Sequence, residues 1–164
     1  MHKLVKKPLI SVVMLNYNGL KYLKRTIPPI LKLDYPNYEF IIVDNGSTDG
    51  SIDFIKKNRG IILIENGENL GYSMGKNIGV KKARGKYVLL LDNDVLVEDR
   101  DILGKLVKFY DSKENPAFVT ILMKNEGENL WRFTGVYYSL YVIKSYKGVP
   151  TSNIPHEVSL IGWP

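Results

Sequence analysis

Cysteine is absent from the 164 residues of this chain, and histidine occurs only twice. A chain without cysteine forms no disulfides and offers no thiolate ligands to a metal. The two histidines, His2 and His156, lie near opposite ends of the sequence, which argues against a histidine-rich zinc site. The lack of disulfides is compatible with a reducing compartment, and we expect a cytoplasmic protein.

Long hydrophobic runs are absent too, since no apolar stretch approaches the ~20 residues that a membrane-spanning helix needs. The amino-terminal segment MHKLVKKPLISVVML imitates a signal peptide, because basic residues precede apolar ones. Its apolar part is short, however, contains Pro8, and leads into NYNG without a small-residue cleavage site. We therefore interpret it as a buried first strand.

Positive charge is in excess, with 23 Lys and Arg against 17 Asp and Glu and a formal net charge of +6. Such a charge favours nucleic acid, an anionic membrane surface or a phosphorylated ligand. The basic residues form only short clusters, such as Lys56 and Lys57, and we interpret most of them as solvated surface. Aromatic and basic residues are not interleaved as in nucleic-acid-binding strands. We therefore expect no nucleic-acid partner. The excess of positive charge leads us to expect peripheral association with the inner face of a membrane.

Strand and helix patterns alternate along the first ~110 residues. Continuous apolar runs predict buried strands at residues 9–15, 38–44 and 86–92, and a further strand is predicted at residues 60–65. Helical patterns follow at residues 19–27, 51–58, 71–85 and 99–112. This alternation predicts an α/β fold with a mostly parallel central sheet flanked by helices. After residue 115 the sequence predicts extended segments in a mixed or antiparallel arrangement.

Several residues should determine where the helices end. Pro28 and Pro29 should break or kink the first helix, because proline removes a donor and clashes with the preceding turn. Ser47 or Thr48 is expected to cap the second helix, and Gly85 is expected to terminate the third. Small residues recur at every fourth position of the third helix and predict close packing on the sheet: Gly71, Gly75, Gly79 and Ala83.

Polar clusters follow three of the predicted strands. They are Asn16-Tyr17-Asn18, Asp44-Asn45 and Asp92-Asn93-Asp94. The carboxyl ends of parallel strands border the ligand crevice in such sheets. One strand-terminal aspartate alone is more often a helix cap or turn residue than a ligand, but three coincident clusters favour a binding site.

Asp92 and Asp94 lie so close in sequence that their charges repel each other unless a positive charge lies between them. Hard oxygen ligands on one short turn suit Mg²⁺ or Mn²⁺, which complete their shells with water and phosphate oxygens. We expect the missing positive charge to be such a cation carrying a diphosphate; the alternative is that either aspartate caps the next segment. Walker and dinucleotide loops do not match, because Asn77 replaces Ser or Thr and the first turn has one glycine.

Four segments together resemble the successive signatures of family-two glycosyltransferases with the GT-A fold: SVVMLNYNG, IIVDNGSTDGS, NLGYSMGKNIGV and YVLLLDNDV. The resemblance covers about residues 9–98, in order and at natural spacing. It implies a Rossmann-like GT-A fold and an inverting transferase that moves a sugar from a nucleoside-diphosphate sugar to a sugar or lipid-linked acceptor. The second and third segments look most like the rhamnosyl- and galactosyl-type branch, so we expect a hexosyl or rhamnosyl transferase.

The resemblance also implies roles for individual residues. The residues that would bind the nucleotide sugar are Asn16, Tyr17, Asn18, Asp44, Asn69, Lys76, Asn77, Asp92 and Asn93. Among them Tyr17 would lie against the base, Asp44 would bind the base or ribose, and Asp92 would contact the ribose or the donor sugar. Asp94 would bind the metal, Mg²⁺ or Mn²⁺, and Asp92 is the second candidate ligand.

Inverting transfer also needs a general base that takes the proton of the acceptor hydroxyl. In the family this carboxylate lies well beyond the Asp-x-Asp, usually in an acidic doublet, and no convincing doublet follows here. Glu157 is the one late carboxylate that could substitute; otherwise it is a surface residue. We expect a single GT-A-type domain over residues 1–164, with a nucleotide-sugar-binding half (1–98) and a partial, truncated acceptor-side half (99–164).

Two other functions stay open at this point. One is a non-catalytic module that binds a nucleotide sugar. The other is a sugar nucleotidyltransferase, which would normally carry a glycine-rich loop with Arg or Lys after the first strand, unlike NYNGLKYLKR.

Overall fold

The structure, a computed structural model, describes residues 7–111 and the backbone of residues 118–120 and 141–144. Strands and helices alternate along the described chain: β1 (Ile10–Asn16), α1 (Leu20–Ile30), β2 (Tyr38–Asp44), α2 (Ser51–Lys57), β3 (Ile61–Glu65), α3 (Tyr72–Lys82), β4 (Tyr87–Asp92), α4 (Ile102–Asp111), β5 (Phe118–Thr120) and β6 (Tyr141–Lys144). None of the helices described is both long enough and apolar enough to cross a bilayer.

The strands form one sheet in the order β3-β2-β1-β4-β6-β5. β3, β2, β1 and β4 are mutually parallel neighbours, while β6 runs antiparallel to β4 and β5 runs antiparallel to β6. The mostly parallel sheet and the antiparallel extension after residue 115 are therefore confirmed.

The central strands are buried on both faces, because successive side chains of a strand point to opposite sides. On one face Val12 and Met14 of β1 join a core with Leu23 of α1 and Leu103 of α4. On the other face Val13 packs in a second core, to which α3 contributes partly buried residues. The sheet is thus a middle layer with helices on both sides, and its strands end at two opposite edges.

Glycines let α3 lie close to the sheet. A Cβ on Gly75 would overlap Leu15, and a Cβ on Gly79 would overlap Val13. The predicted close packing of the small-residue stripe is confirmed at these two positions. Gly71 has a different role, since nothing lies within 4 Å of its added Cβ and its positive φ of +81° favours glycine.

The expected break at Pro28 and Pro29 is wrong, because α1 continues through both residues to Ile30. The carbonyls that would have accepted from the donors missing in the prolines belong to Lys24 and Arg25, at exposed positions where water can donate to them instead. Ile30 is fully buried, and its packing holds the last turn on the core.

Two other expectations about helix ends are also wrong. Neither Ser47 nor Thr48 caps α2, whose N-cap is Gly50 in a left-handed conformation. Gly85 does not terminate α3, which ends at Lys82 with Ala83 as its extended C-cap. Gly85 is needed for another reason: a Cβ there would lie 2.5 Å from the backbone nitrogen of Ser11.

Candidate functional site

The strand register brings the three polar clusters to one edge of the sheet. Asn16 lies opposite Asp44 across the β1–β2 pair, and Leu15 lies opposite Asp92 across the β1–β4 pair. Because these neighbours are parallel, the residues that follow them emerge on the same side. The predicted convergence at the carboxyl edge is confirmed.

Asn16 is completely buried and links the two outer clusters. Its Nδ2 donates to Asp44 Oδ2 at 2.8 Å and to Ser47 Oγ at 3.1 Å. Its Oδ1 accepts from Asn93 Nδ2 at 2.8 Å. The structure therefore places Asn16 behind the surface of the site, where it holds its neighbours.

Asp44 is also completely buried, and protein donors occupy its carboxylate. Oδ1 accepts from the Ser47 backbone nitrogen at 2.8 Å, and Oδ2 accepts from Ser47 Oγ at 2.7 Å and from Asn16. These bonds fold the turn after β2 back onto the strand end. The contact of Asp44 with a base or ribose stays a prediction.

Tyr17 and Asn18 lie on the exposed side of the same edge. The Tyr17 side chain is 49% exposed. Asn18 adopts a φ of +48°, and its Oδ1 accepts from the Thr48 backbone nitrogen at 2.8 Å. Its own backbone nitrogen donates to Ser47 Oγ at 2.8 Å. The loops after β1 and β2 are thereby tied together, with Tyr17 presented to solvent.

A second group of amides ties the loop before α3 to the end of β2. Asn45 is 1% exposed; its Nδ2 donates to Asn69 Oδ1 at 3.2 Å and to the Gly71 carbonyl at 3.1 Å. Its Oδ1 accepts from Asn66 Nδ2 at 2.7 Å. Asn69 therefore holds Asn45 in place while part of its own side chain stays exposed. Asn77 is exposed on α3.

Lys76 is the buried cation of the site, at 2% exposure. Its Nζ forms an ion pair with Asp92 Oδ1 at 2.9 Å, donates to the Leu91 carbonyl, and lies 5.3 Å from the centre of the Tyr72 ring. Burial lowers the pKa of the Lys76 ammonium, while the nearby carboxylates of Asp92 and Asp94 oppose that shift. The protein thus supplies one positive charge beside Asp92, which the expectation of a divalent cation did not include.

Asp94 differs from Asp92 in that no described side chain forms an ion pair with it. Its side chain reaches solvent, yet partial desolvation raises the pKa of its carboxyl, and the charge of Asp92 raises it further. Lys76 offsets only part of this effect. A cation bound beside Asp94 would relieve the repulsion between the two carboxylates.

Sequence reasoning missed Ser47 and Tyr72 as residues of the site, and it gave no contact for Asn45. Ser47 and Asn45 anchor the turn after β2, and the Tyr72 hydroxyl donates to Asp92 Oδ1 at 3.0 Å. The spacing of Ser47, three residues after Asp44, is typical of a side chain that closes a turn and could have indicated its role. No comparable pattern marks Tyr72, whose partner lies 20 positions away.

Comparison with known proteins decides the family. The family model described as glycosyl transferase family 2 matches residues 11–159. The chain belongs to this family. Similar relatives include a glycosyltransferase of Methanocaldococcus jannaschii, 36% identical over 152 residues that make up 85% of this chain and 51% of that protein. The chain spans between 33% and 52% of the length of the first four curated relatives that it matches.

Solved structures of glycosyltransferases share the fold. Residues 1–349 of S. aureus TarS in complex with UDP-GlcNAc superpose with a TM-score of 0.67 at 26% identity, covering 75% of this chain and 37% of that one. The mannosyltransferase PcManGT of Pyrobaculum calidifontis, in complex with GDP-Man and Mn²⁺, gives a TM-score of 0.69 at 22% identity, over 85% of this chain and 45% of that one. The predicted Rossmann-like GT-A fold is confirmed.

Glu157 lies outside the described residues, and its role as general base stays a prediction. The division into a nucleotide-sugar-binding half and an acceptor-side half at residue 98 also stays a prediction.

Proposed function

We propose that this glycosyltransferase-family chain binds the nucleoside diphosphate of a nucleotide sugar at the carboxyl edge of its sheet, for transfer of the sugar to an acceptor. Asp94 would hold Mg²⁺ or Mn²⁺ against the diphosphate. The observation that carries the proposal is the placement of Asp94, a carboxylate on the turn after β4, beside a second carboxylate and without an ion pair among the described residues. The complex of the TarS relative with UDP-GlcNAc supports a nucleotide-sugar donor.

The residues present fit a cation that arrives with its diphosphate. Among the described residues, no group of three or more His, Cys, Asp or Glu side chains could enclose a metal. Asp94, with Asp92 beside it, supplies the one or two carboxylates that Mg²⁺ usually takes from a protein, and water and phosphate oxygens would complete the shell. When bound, the cation would neutralise charge that develops on the departing diphosphate.

The charges of Lys76, Asp92 and Asp94 together favour binding of a cation followed by a diphosphate. Lys76 cancels the charge of Asp92, so the turn after β4 carries one net negative charge, that of Asp94. This negative charge attracts a divalent cation, and the resulting net positive charge attracts a diphosphate. Tyr17, half-exposed at the end of β1, offers an aromatic face for the base.

The donor sugar is proposed to be of the hexosyl or rhamnosyl type, because the sequences of residues 44–51 and 69–77 resemble that branch of the family. The acceptor is proposed to be a sugar or a lipid-linked sugar. We place the protein in the cytoplasm at the inner face of the membrane, where the net charge of +6 would favour contact with anionic headgroups. The alternative is a non-catalytic binding module, which would bind the same donor but would not transfer its sugar.

Calorimetric titration of UDP, GDP and dTDP, each with and without Mn²⁺, tests the proposed site. We expect at least one of them to bind, and to bind more tightly with Mn²⁺. Asp94→Asn keeps the size of the side chain but removes its charge, and should reduce the enhancement by Mn²⁺ by about tenfold or more, as for the loss of a charged contact. Asp53→Asn, which alters an exposed acid of α2, is the matched control and should behave as the wild type. Binding that ignores Mn²⁺, or an enhancement that survives Asp94→Asn, would contradict the proposal.

A further inference from the structure

Gly19 is a buried glycine whose backbone does not require glycine. It is the N-cap of α1, with a φ of −107° that other residues adopt freely. A Cβ at this position would overlap the Asn93 side-chain nitrogen and Asn16 Oδ1. The glycine therefore makes room for one contact, the hydrogen bond from Asn93 to Asn16.

The Asn16 amide can take only one orientation in this site. The Asp44 carboxylate only accepts hydrogen bonds, so the donating Nδ2 of Asn16 must face it. Oδ1 then faces the other way and accepts from Asn93 Nδ2. Because Asn16 has no exposed surface, its influence on a ligand must pass through these neighbours.

We infer that Asn16 is a positioning residue that fixes, through Asn93, the turn carrying Asp92 and Asp94. The inference rests on the proposed function, because it concerns how this turn meets a cation and a diphosphate. Asn93 is only partly buried, and its bond to Asn16 anchors the turn to β1 between the two aspartates. Without that bond the turn gains freedom to rotate, and the Asp94 carboxylate spends less time in the position in which it would hold a cation.

Gly19→Ala tests the inference sharply. It adds one methyl group in a permitted backbone conformation, removes no polar group, and pushes the Asn16–Asn93 bond apart. Asn93→Ala breaks the same bond from its partly exposed side. Gly104→Ala in α4 is the matched control, because the three atoms nearest to its added methyl group all belong to the side chain of Asp101.

The readout is the enhancement by Mn²⁺, the ratio of the Kd without Mn²⁺ to the Kd with it, for the nucleoside diphosphate that the wild type binds best. We expect Gly19→Ala and Asn93→Ala each to lower this ratio by about tenfold, the factor that corresponds to one hydrogen bond. The metal-free Kd of Gly19→Ala should change far less. The two substitutions combined should cost no more than either alone, because both remove the same contact.

A second readout needs no ligand. In the wild type the side-chain amide protons of Asn93, identified by their loss in Asn93→Ala, should exchange slowly with solvent. Gly19→Ala should make that exchange fast, while its thermal unfolding remains cooperative.

The results separate the inference from the proposed function. If Gly19→Ala keeps the wild-type enhancement and the slow amide exchange, the inference is overturned while the proposed function stands. A metal-free Kd that rises as much as the Kd with Mn²⁺ would also overturn it. If the wild type itself shows no enhancement, the proposed function fails and the inference falls with it.

Discussion

At the scale of single residues, the ion pair of Lys76 and Asp92 brings a buried positive charge into the site. Lys76 is 2% exposed, and its ammonium lies 2.9 Å from Asp92 Oδ1. A buried charge is costly when its partner is removed, whereas removing both partners leaves no unpaired charge behind. The pair can therefore be examined through stability alone, without any ligand.

Lys76→Met keeps the length of the side chain and leaves Asp92 without its cation. We expect it to lower the free energy of unfolding by about 1–3 kcal/mol, less than for a fully buried pair because Asp92 is partly exposed. The double variant Lys76→Met with Asp92→Asn should recover part of this loss, since the remaining charge is gone. Urea unfolding of the wild type, both single variants and the double variant measures the coupling. A double variant that loses the full sum of the single effects would show that the two charges do not interact.

The sequence predicted which clusters meet at this site but not how they bond. Asn16, Asp44 and Asp92 were placed at one edge because strand ends and parallel pairing follow from local patterns. The burial of Lys76 was not predicted, because it depends on how closely α3 approaches β4. That distance is set by Gly75 and Gly79 against β1, a tertiary contact that charge and hydropathy patterns do not report.

At the scale of elements, strands were predicted more accurately than helix ends. All four parallel strands lie within one residue of their predicted bounds, because their apolar runs are uninterrupted and polar residues end them, even in the only partly buried β3. Helix ends depend on contacts outside the helix. α1 passes through Pro28 and Pro29 because core packing holds Ile27 and Ile30, and that packing outweighs the local preference.

The opposite, amino edge of the sheet is held by Glu39 of β2. Its Oε1 accepts from Ser11 Oγ at 2.6 Å and from the Arg84 backbone nitrogen at 2.7 Å, and its Oε2 pairs with the Arg84 guanidinium at 2.7 Å. Burial raises the pKa of the Glu39 carboxyl, but the hydrogen bonds from Ser11 and Arg84 and the charge of Arg84 outweigh it, so the pKa is lowered. This cluster connects β1, β2 and the segment between α3 and β4.

Glu39→Gln should therefore lower stability in a pH-dependent way. A carboxyl whose pKa is lower in the folded state stabilises the fold above its ordinary value of 4.5, and that contribution is lost as the pH falls below it. At neutral pH we expect Glu39→Gln to cost about 1.5–3 kcal/mol, the value of hydrogen bonds to a charged group. The difference between wild type and variant should shrink as the pH falls below 4.5. A difference in unfolding free energy that stays constant with pH would contradict this role for Glu39.

At the scale of the whole molecule, two polar clusters of different composition lie at opposite edges of the sheet. The amino edge carries the saturated cluster of Glu39, Ser11 and Arg84, while the carboxyl edge carries Asp94 without an ion pair among the described residues. Ser11 and Asn16 begin and end the same stretch of β1, roughly 17 Å apart at the usual rise per residue. A cation at the carboxyl edge would therefore lie far enough from the amino edge for a distance-dependent measurement to distinguish the two positions.

Paramagnetic broadening by Mn²⁺ in the presence of the bound nucleoside diphosphate tests the central claim most directly. A spectrum of backbone amides would be recorded at substoichiometric Mn²⁺, with a diamagnetic Mg²⁺ sample as the control. We predict that the signals of Asn93, Asp94 and Val95 broaden first, followed by those of Asn18 and Gly19, while Arg84 and Gly85 at the amino edge stay sharp. Broadening that begins at Arg84 and Gly85, or that leaves Asn93 to Val95 unaffected, would contradict a metal-assisted donor site at the carboxyl edge.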